Sequence, residues 1–432
     1  MSTSLVWFTN NLRTNDNETL SRATKFDKVI AVYCFDPRHF EEGDFGFIKT
    51  GKYRTKFLIE SVQNLRTKLK DLNISLLVFC GKPENCIPKV VNDHQIDTIF
   101  YQEEWTRDEV RVINSVKNRL DHQVNMVGVY DQFLFHPDDI PIDAFHQIPN
   151  VFASFRKKCE KYAEIRKSLP KLEKKQENNL FPNNTLIPTL KELGHNEFRV
   201  DGRSVFPFQG GEEAALHRLQ SYFWDTQKLS QYKKTRNGLI GIDYSSKFSP
   251  WLANGSISAR TIYEEVKKYE KQIKKNQDTY WLVFELIWRD YFKYVSLKHG
   301  NKIFHLRGIL DKTYHWKNDT ETLNSWIKGS TDQSFVNANM KELALTGWMS
   351  NRGRQNVGSY WSKHLEQDWR IGAAYFESML IDYDVHSNWG NWMYVSGVGN
   401  DPRDRKFNIN RQADLYDPNG EYQATWLKSS NS

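Results

Sequence analysis
The chain nowhere strings eighteen apolar residues together, so no segment of its 432 residues reads as a membrane-crossing helix. The first thirty residues carry charges from Arg13 onward and lack an apolar stretch with a cleavage pattern, so an unprocessed, soluble, cytoplasmic protein is expected. Cysteine is scarce: Cys34, Cys80, Cys86 and Cys159 lack the close pairing of a zinc site or a redox dithiol, which predicts reduced, mostly buried thiols. No glycine-rich dinucleotide fingerprint follows the first strand-like run, so a nicotinamide cofactor in the front half is disfavoured. Internal repeats are absent, and no spaced set of carboxylates and histidines marks a metal site.

Tryptophan, by contrast, is abundant and lopsided: 12 of the 14 lie at or after Trp224. The net charge is +7, and residues 156–175 alone hold nine basic and three acidic side chains, so most of the surplus sits in one segment. Such a run reads first as a solvated helix or linker face, and it permits a nucleic-acid partner without requiring one. The length exceeds what one hydrophobic core supports, which predicts two packed units.

Residues 1–135 alternate short β-branched runs (SLVWF, VIAVYCF, ISLLVFC, DTIFYQ, VNMVGVY) with helix-spaced segments at 53–72 and 107–120. That alternation predicts a Rossmann-like parallel sheet with helices on both faces and a ligand crevice beyond the strand ends, near residues 8–13, 35–38 and 101–106. Residues 136–207 are polar, proline-punctuated and charge-rich, and read as a long connection between domains. From 208 to 432 helical spacing dominates, with helices expected over 212–224, 258–275, 279–299, 321–327, 334–346, 358–366 and 373–382. The fold class is therefore α/β plus all-α.

Within the 279–299 helix, Trp281, Glu285, Trp288 and Phe292 share one stripe. A carboxylate among aromatics must meet a cation, a donor or a ligand; an ion pair with Arg289 or with another helix is the plain alternative. Asp382 and Asp384 follow an apolar run and precede what reads as a polar, glycine-containing turn, where they can accept from a ligand's N–H groups or pair with Arg354. The stretch YSSKFS, residues 244–249, offers hydroxyls and amides that either cradle phosphates or cap the next helix.

Seven segments in order carry a more specific signal: LVWFTNNLRTNDN (5–17), YKKTRNGLIGIDYSSKFSPWLANG (232–255), ELIWRDYFKY (285–294), TGWMSNRGRQN (346–356), DWRIGAAYF (368–376), LIDYDVHSNWGNWMY (380–394) and GVGNDPRDRKFN (397–408). Together they resemble the photolyase and cryptochrome family, and its cryptochrome DASH branch in particular, over almost the whole chain. The resemblance implies a helical domain that binds FAD, with Tyr232, Ser245, Ser246, Phe248 and Ser249 on the diphosphate side and Arg289 among the cofactor contacts. It implies an Arg354–Asp382 pair beside the flavin, Asp384 accepting from the ring, and Asn388 facing N5, where a neutral amide does not repel an anionic reduced ring. Trp392, Trp369 and Trp316 match the family's electron relay, against the plain reading of three core indoles.

For the substrate, the resemblance implies a cyclobutane pyrimidine dimer flipped into a pocket at Glu285, Trp288, Asn351, Arg352, Gln355 and Tyr394, split by an electron from excited reduced FAD. Gln355 stands where duplex-repairing relatives carry Met, and Tyr394 where they carry Trp; the smaller aromatic favours single-stranded DNA. The expected enzyme is a single-strand-preferring deoxyribodipyrimidine photolyase and a monomer. An antenna folate (methenyltetrahydrofolate) is expected near Glu103 or Glu104, although Thr9, Asn11 and Asn15 depart from the usual front-domain pattern. The rival readings are a blue-light photoreceptor with little repair and a nucleic-acid-binding module with an inherited flavin pocket. Only six residues follow Trp426, which argues against a releasable C-terminal extension.

Overall fold
A computed structural model describes residues 2–428. Of the six residues after Trp426, the last four lie outside the described residues, and the expectation about a C-terminal extension with them.

The front half runs β1 (Thr3–Phe8), α1 (Glu18–Ala23), β2 (Lys28–Phe35), α2 (Lys52–Asp71), β3 (Ser75–Cys80), α3 (Pro83–His94), β4 (Thr98–Gln102), α4 (Arg107–Lys117) and β5 (Asn125–Val129). The five strands form one parallel sheet in the order β3-β2-β1-β4-β5, with Leu5 flanked by Ile30 and Ile99. Successive side chains point to opposite faces, and both faces are covered. Val6, Phe8, Val29 and Ala31 pack with Val62, Leu65 and Leu69 of α2, while Leu5, Trp7, Ile30 and Val32 pack with Ile87, Val90 and Val91 of α3. Two buried faces explain why these strands read as nearly continuous apolar runs. The order reverses between β1 and β4, which opens a crevice at their carboxyl ends. All four cysteines are free; Cys34 and Cys159 are buried, whereas Cys80 is exposed and Cys86 half-buried, so burial extends to only two of them.

The connection is more structured than its composition implies. Residues 152–162 form α5 (Phe152–Tyr162), whose Phe152, Phe155 and Cys159 join the core of the helical half. Farther on, asparagines line the sheet's edge: the Asn183 amide donates to Leu76 O at 2.6 Å, and Val78 N donates to Thr185 Oγ1 at 3.0 Å. Asn179 bonds both Val29 N and Val29 O. The polar segment thus satisfies backbone groups of edge strand β3 and of the start of β2 with side chains.

The helical half comprises α6 (Glu212–Gln220), α7 (Tyr232–Thr235), α8 (Ser249–Ala253), α9 (Ala259–Gln272), α10 (Gln277–His299), α11 (Thr320–Lys328), α12 (Ser334–Thr346), α13 (Asn351–Ser359), α14 (Trp369–Met379), α15 (Val385–Ser396), α16 (Ile409–Tyr416) and α17 (Glu421–Leu427). The helix expected over 358–366 is the end of α13 and its continuation through a wide turn at Tyr360–His364. The one expected over 373–382 begins at Trp369 and ends at Met379, which leaves Asp382 in the following loop. Among the described residues no helix is long and apolar enough to cross a membrane.

Buried charge joins the halves. Arg13 meets Asp131 at 2.6 Å, and Arg260 of α9 meets both Asp16 and Asp131 at 2.8 Å. Asp290 of α10 accepts from Leu134 N and Phe135 N at 2.9 and 2.8 Å. Gly255, at φ +72, lets the two backbones touch, because a Cβ there would lie 2.0 Å from Asn10 O.

Candidate flavin and substrate site
Helix α10 starts at a capping box, with Asn276 accepting from Thr279 N, and its half-buried stripe carries Trp281, Phe284, Glu285 and Trp288. Glu285 does not pair with Arg289. Its cation is Arg236, at 2.8 Å, at the end of α7. Burial pushes the Glu285 carboxyl up, against the pull of that guanidinium. Arg289 turns the other way, donating to Gln132 O at 2.6 Å and Leu252 O at 3.0 Å.

Glu285 lies on the wall of a cavity of about 270 Å³ that gathers all ten of the expected cofactor residues: Tyr232, Ser245, Ser246, Phe248, Ser249, Arg289, Arg354, Asp382, Asp384 and Asn388. Arg354 donates to both Asp382 oxygens at 2.9 Å. The sequence 385–396 is helix α15 and not a turn; Asp384 is its N-cap, accepting from Ser387 N at 2.8 Å. Burial would raise the Asp384 carboxyl, but Lys293 at 3.0 Å holds it well below the usual range, so it is a carboxylate. The Asn388 amide donates to Ala373 O at 3.0 Å, leaving its oxygen uncommitted beside the cavity.

The 244–249 loop is shaped by a residue that sequence reading passed over. Buried Arg218 donates to the carbonyls of Ser245 and Ser246, both at 3.1 Å, and pairs with Asp243 at 2.7 Å. Carbonyls drawn backwards leave the N–H side to the cavity. Lys247 is left-handed at φ +62 and Phe248 right-handed at φ −74, a succession that turns consecutive N–H groups to one side and suits a phosphate. The Lys247 ammonium, buried without a hydrogen-bond partner, lies 3.3 Å from the Tyr244 ring centre. The donor set fits a dinucleotide: N–H groups for the diphosphate, and an ion pair and a carboxylate for a polar heteroaromatic edge.

Trp392 forms part of the cavity wall, its indole laid over two glycines: a Cβ on Gly372 would lie 2.3 Å from it, and one on Gly358 3.6 Å. Its ring neighbours are Phe376 at 5.0 Å and Trp326 at 6.3 Å. Trp369 is buried against Trp389 at 5.7 Å, and half-buried Trp316 adjoins Tyr314 at 5.3 Å. The three relay candidates therefore do not stack on one another directly.

Of the expected substrate residues, Glu285, Asn351 and Gln355 reach the cavity. Arg352 donates to Gln355 at 3.0 Å and covers Tyr416. Trp288 and Tyr394 stand outside it, their rings perpendicular and 6.0 Å apart, and the Tyr394 hydroxyl accepts from Arg405 at 2.8 Å. The other face of Trp288 is covered by Phe152 of α5, parallel at 3.6 Å, a contribution from the connection that its charge density concealed.

A second cavity of about 780 Å³ occupies the crevice where β1 and β4 part, between sheet and helical half. Of the two acids expected there, only Glu104 lines it, its carboxyl pushed up to about 7 by burial. Glu103 lies on the far side, against Gly128 and Tyr101. Thr9 Oγ1, Gln102 Oε1, Gln132 Oε1 and His386 Nε2 are buried on this cavity without partners, so its wall is built for a polar ligand. Asp384 lines both cavities.

Comparison with known proteins agrees with this geometry. The family model described as "DNA photolyase" matches residues 4–175, and the one described as "FAD binding domain of DNA photolyase" matches residues 281–431. A cryptochrome DASH of Synechocystis sp. is 48% identical over 432 residues, covering 98% of this chain and 87% of the relative. One of Danio rerio is 46% identical over 423 residues, covering 97% and 81%. The crystal structure of a Synechocystis sp. PCC6803 cryptochrome superposes with a TM-score of 0.95 at 46% identity, over 99% of this chain and 89% of that one. An archaeal photolyase from Sulfolobus tokodaii, solved with two FAD molecules, shares the fold at a TM-score of 0.80 and 24% identity.

Proposed function
The chain belongs to the cryptochrome DASH family, and from that premise we propose that it is a monomeric, blue-light-driven enzyme that splits cyclobutane pyrimidine dimers in single-stranded DNA. One observation carries the reading: Glu285 and Arg236, paired at 2.8 Å among half-buried aromatics, stand on the wall of the FAD cavity. The Arg236 guanidinium offers hydrogen bonds to pyrimidine carbonyls as these gain negative charge, which favours the reduced dimer over the resting one, and the Glu285 carboxyl that holds it can accept from a pyrimidine N–H.

FAD, bound in its reduced form and excited by blue light, supplies the electron. The protein's own groups do the rest. Arg354 and Asp382 orient the ring edge, Asp384 accepts from it, and the amide oxygen of Asn388 stands where it can accept from an N–H without adding charge. The 244–249 loop takes the diphosphate. Trp392, Trp369 and Trp316 pass electrons inward when the cofactor has been oxidised. Asn351, Arg352 and Gln355 border the lesion, and Trp288 and Tyr394 form the aromatic mouth. Extrusion of a base costs a few kcal/mol, and one base–aromatic stack returns about 1–3 kcal/mol. With Tyr at 394, stacking offsets less of that cost, which disfavours intact duplex. The second cavity takes an antenna pterin of the folate class, with Glu104 as its acid.

The experiment is to illuminate FAD-loaded protein with a dimer-containing oligothymidine, as single strand and as duplex, and to follow dimer loss by chromatography. Loss from the single strand and its abolition in Glu285→Ala are expected. Equal turnover on both substrates overturns the strand preference, and no turnover on either leaves the photoreceptor reading.

A further inference from the structure
The aromatic stripe of α10 extends past the lesion pocket. The Trp281 and Phe284 rings stack at 4.5 Å and 25°; Phe284 meets the edge of Phe152 at 5.1 Å; Phe152 lies flat on Trp288. Trp281 and Trp288 are seven residues apart, about 10 Å along the helix. Cations cover this row. Lys233 Nζ stands 4.3 Å over the Trp281 ring, and Arg156 lies 5.5 Å over Phe284, held there by its bonds to the Tyr280 hydroxyl and Glu160. Exposed Lys157, Lys158 and Lys161 of α5 and Lys234 beside Lys233 have no carboxylate partner among the described residues. A core helix buries its indoles and pairs its surface charges; here half-buried Trp281 lies under Lys233, which has no carboxylate partner among the described residues, and further unpaired lysines stand exposed on neighbouring α5.

That combination is the chemistry of single-strand recognition: every base has a face that stacks on an aromatic ring, and cations follow the phosphates. We propose that Trp281 and Phe284, with Lys233 and the lysines of α5, form a lesion-independent subsite for single-stranded nucleic acid. An unpaired base next to the pocketed nucleotides stacks on the outer face of Trp281. The Lys233 ammonium, exposed and on a flexible stem, swings from the ring to the neighbouring phosphate. A duplex keeps that base paired and cannot use the platform, so the subsite adds strand selectivity to that set by Tyr394. Only the α5 part of the basic run, residues 156–161, belongs to this track; Arg166 is paired with Asp139, and Lys175 donates to the carbonyls of Thr24 and Phe26. The inference rests on the reading of the Glu285 cavity as a nucleic-acid pocket.

The test measures dark binding of fluorescein-labelled oligothymidine to the FAD-loaded protein by anisotropy, with and without one central dimer. Trp281→Ala is expected to weaken both strands alike, by about five- to tenfold, and Trp281→Phe to stay within about twofold of the parent. Lys233→Ala is expected to flatten the slope of log affinity against log salt by about 0.7, one phosphate contact on a single strand. Parental affinity of Trp281→Ala for the undamaged strand overturns the subsite, and so does a loss confined to the dimer-containing strand. If the parent shows no light-driven dimer loss while Trp281→Ala still loses the undamaged strand, the repair reading fails and the subsite stands.

Discussion

The substitution Gly372→Ala sets two effects of opposite sign against each other. Gly372 is buried in helix α14, where alanine is preferred to glycine by about 0.5–1 kcal/mol, so propensity alone makes the variant more stable. The new methyl would, however, fall 2.3 Å from Cη2, 2.7 Å from Cζ3 and 2.9 Å from Cζ2 of Trp392. A flexible chain end could move aside, but this is a rigid indole, 3% exposed and hemmed in by Phe376 and Trp326. Overpacking of this kind costs about 1–3 kcal/mol. The clash therefore wins, and a net loss of about 1–2 kcal/mol is expected. Urea unfolding followed by tryptophan fluorescence reads it, with Gly202→Ala, whose Cβ meets nothing within 4 Å, as the neutral control. Because the displaced ring lines the flavin cavity, photoreduction of oxidised FAD should slow in parallel, towards the rate of Trp392→Phe. A midpoint at or above the parent's would refute the argument and show that Trp392 has room to yield.

Three further outcomes follow from the described contacts. Arg260→Met leaves Asp16 and Asp131 short of a cation in a buried network, and a loss of about 3–5 kcal/mol is expected in the same unfolding assay. Burial pushes Glu342 up to about 7, above the ordinary carboxyl value of 4.5, so its contribution to stability is full below pH 4.5 and lost as the pH rises through 7. Glu342→Gln, which cannot ionise, should therefore raise the midpoint at pH 8, by an amount on the order of 1–3 kcal/mol, and leave it unchanged at pH 4.5. Glu104→Ala should abolish any antenna absorption band while FAD is retained, whereas Glu103→Ala should keep both; the spectra of the purified variants decide it.

Much of this architecture was legible. The strands stand within a residue or two of their β-branched runs, and α2, α10 and α12 follow their apolar spacing, because an amphipathic element writes its burial as a period. The failures have physical causes. Helix α15 read as a turn because it is buried nearly all round, with His386, Asn388 and Ser396 inside the core, and a helix without a wet face has no period to detect. Helix α5 was hidden by its lysines, although Phe152, Phe155 and Cys159 keep helical spacing. The Arg354–Asp382 pair was readable from the sequence, whereas for Glu285 both Arg289 and another helix stayed open as partners; the structure selects the other helix, and nothing local points to Arg236, 49 positions upstream. Arg218 has no local signal at all: its work is to bind carbonyls of a loop 27 and 28 residues away.

The two side chains that bond β3 from its open side, Asn183 and Thr185, also order events in time. Asn183 and Thr185 follow the last strand by more than 50 residues, so during synthesis all five strands leave the ribosome before the groups that close this edge. Until residue 185 has emerged, the Leu76–Val78 backbone stays open to any other extended chain, a nascent neighbour included. A polar segment that looks like filler between two domains is therefore what ends the sheet's capacity to recruit another strand.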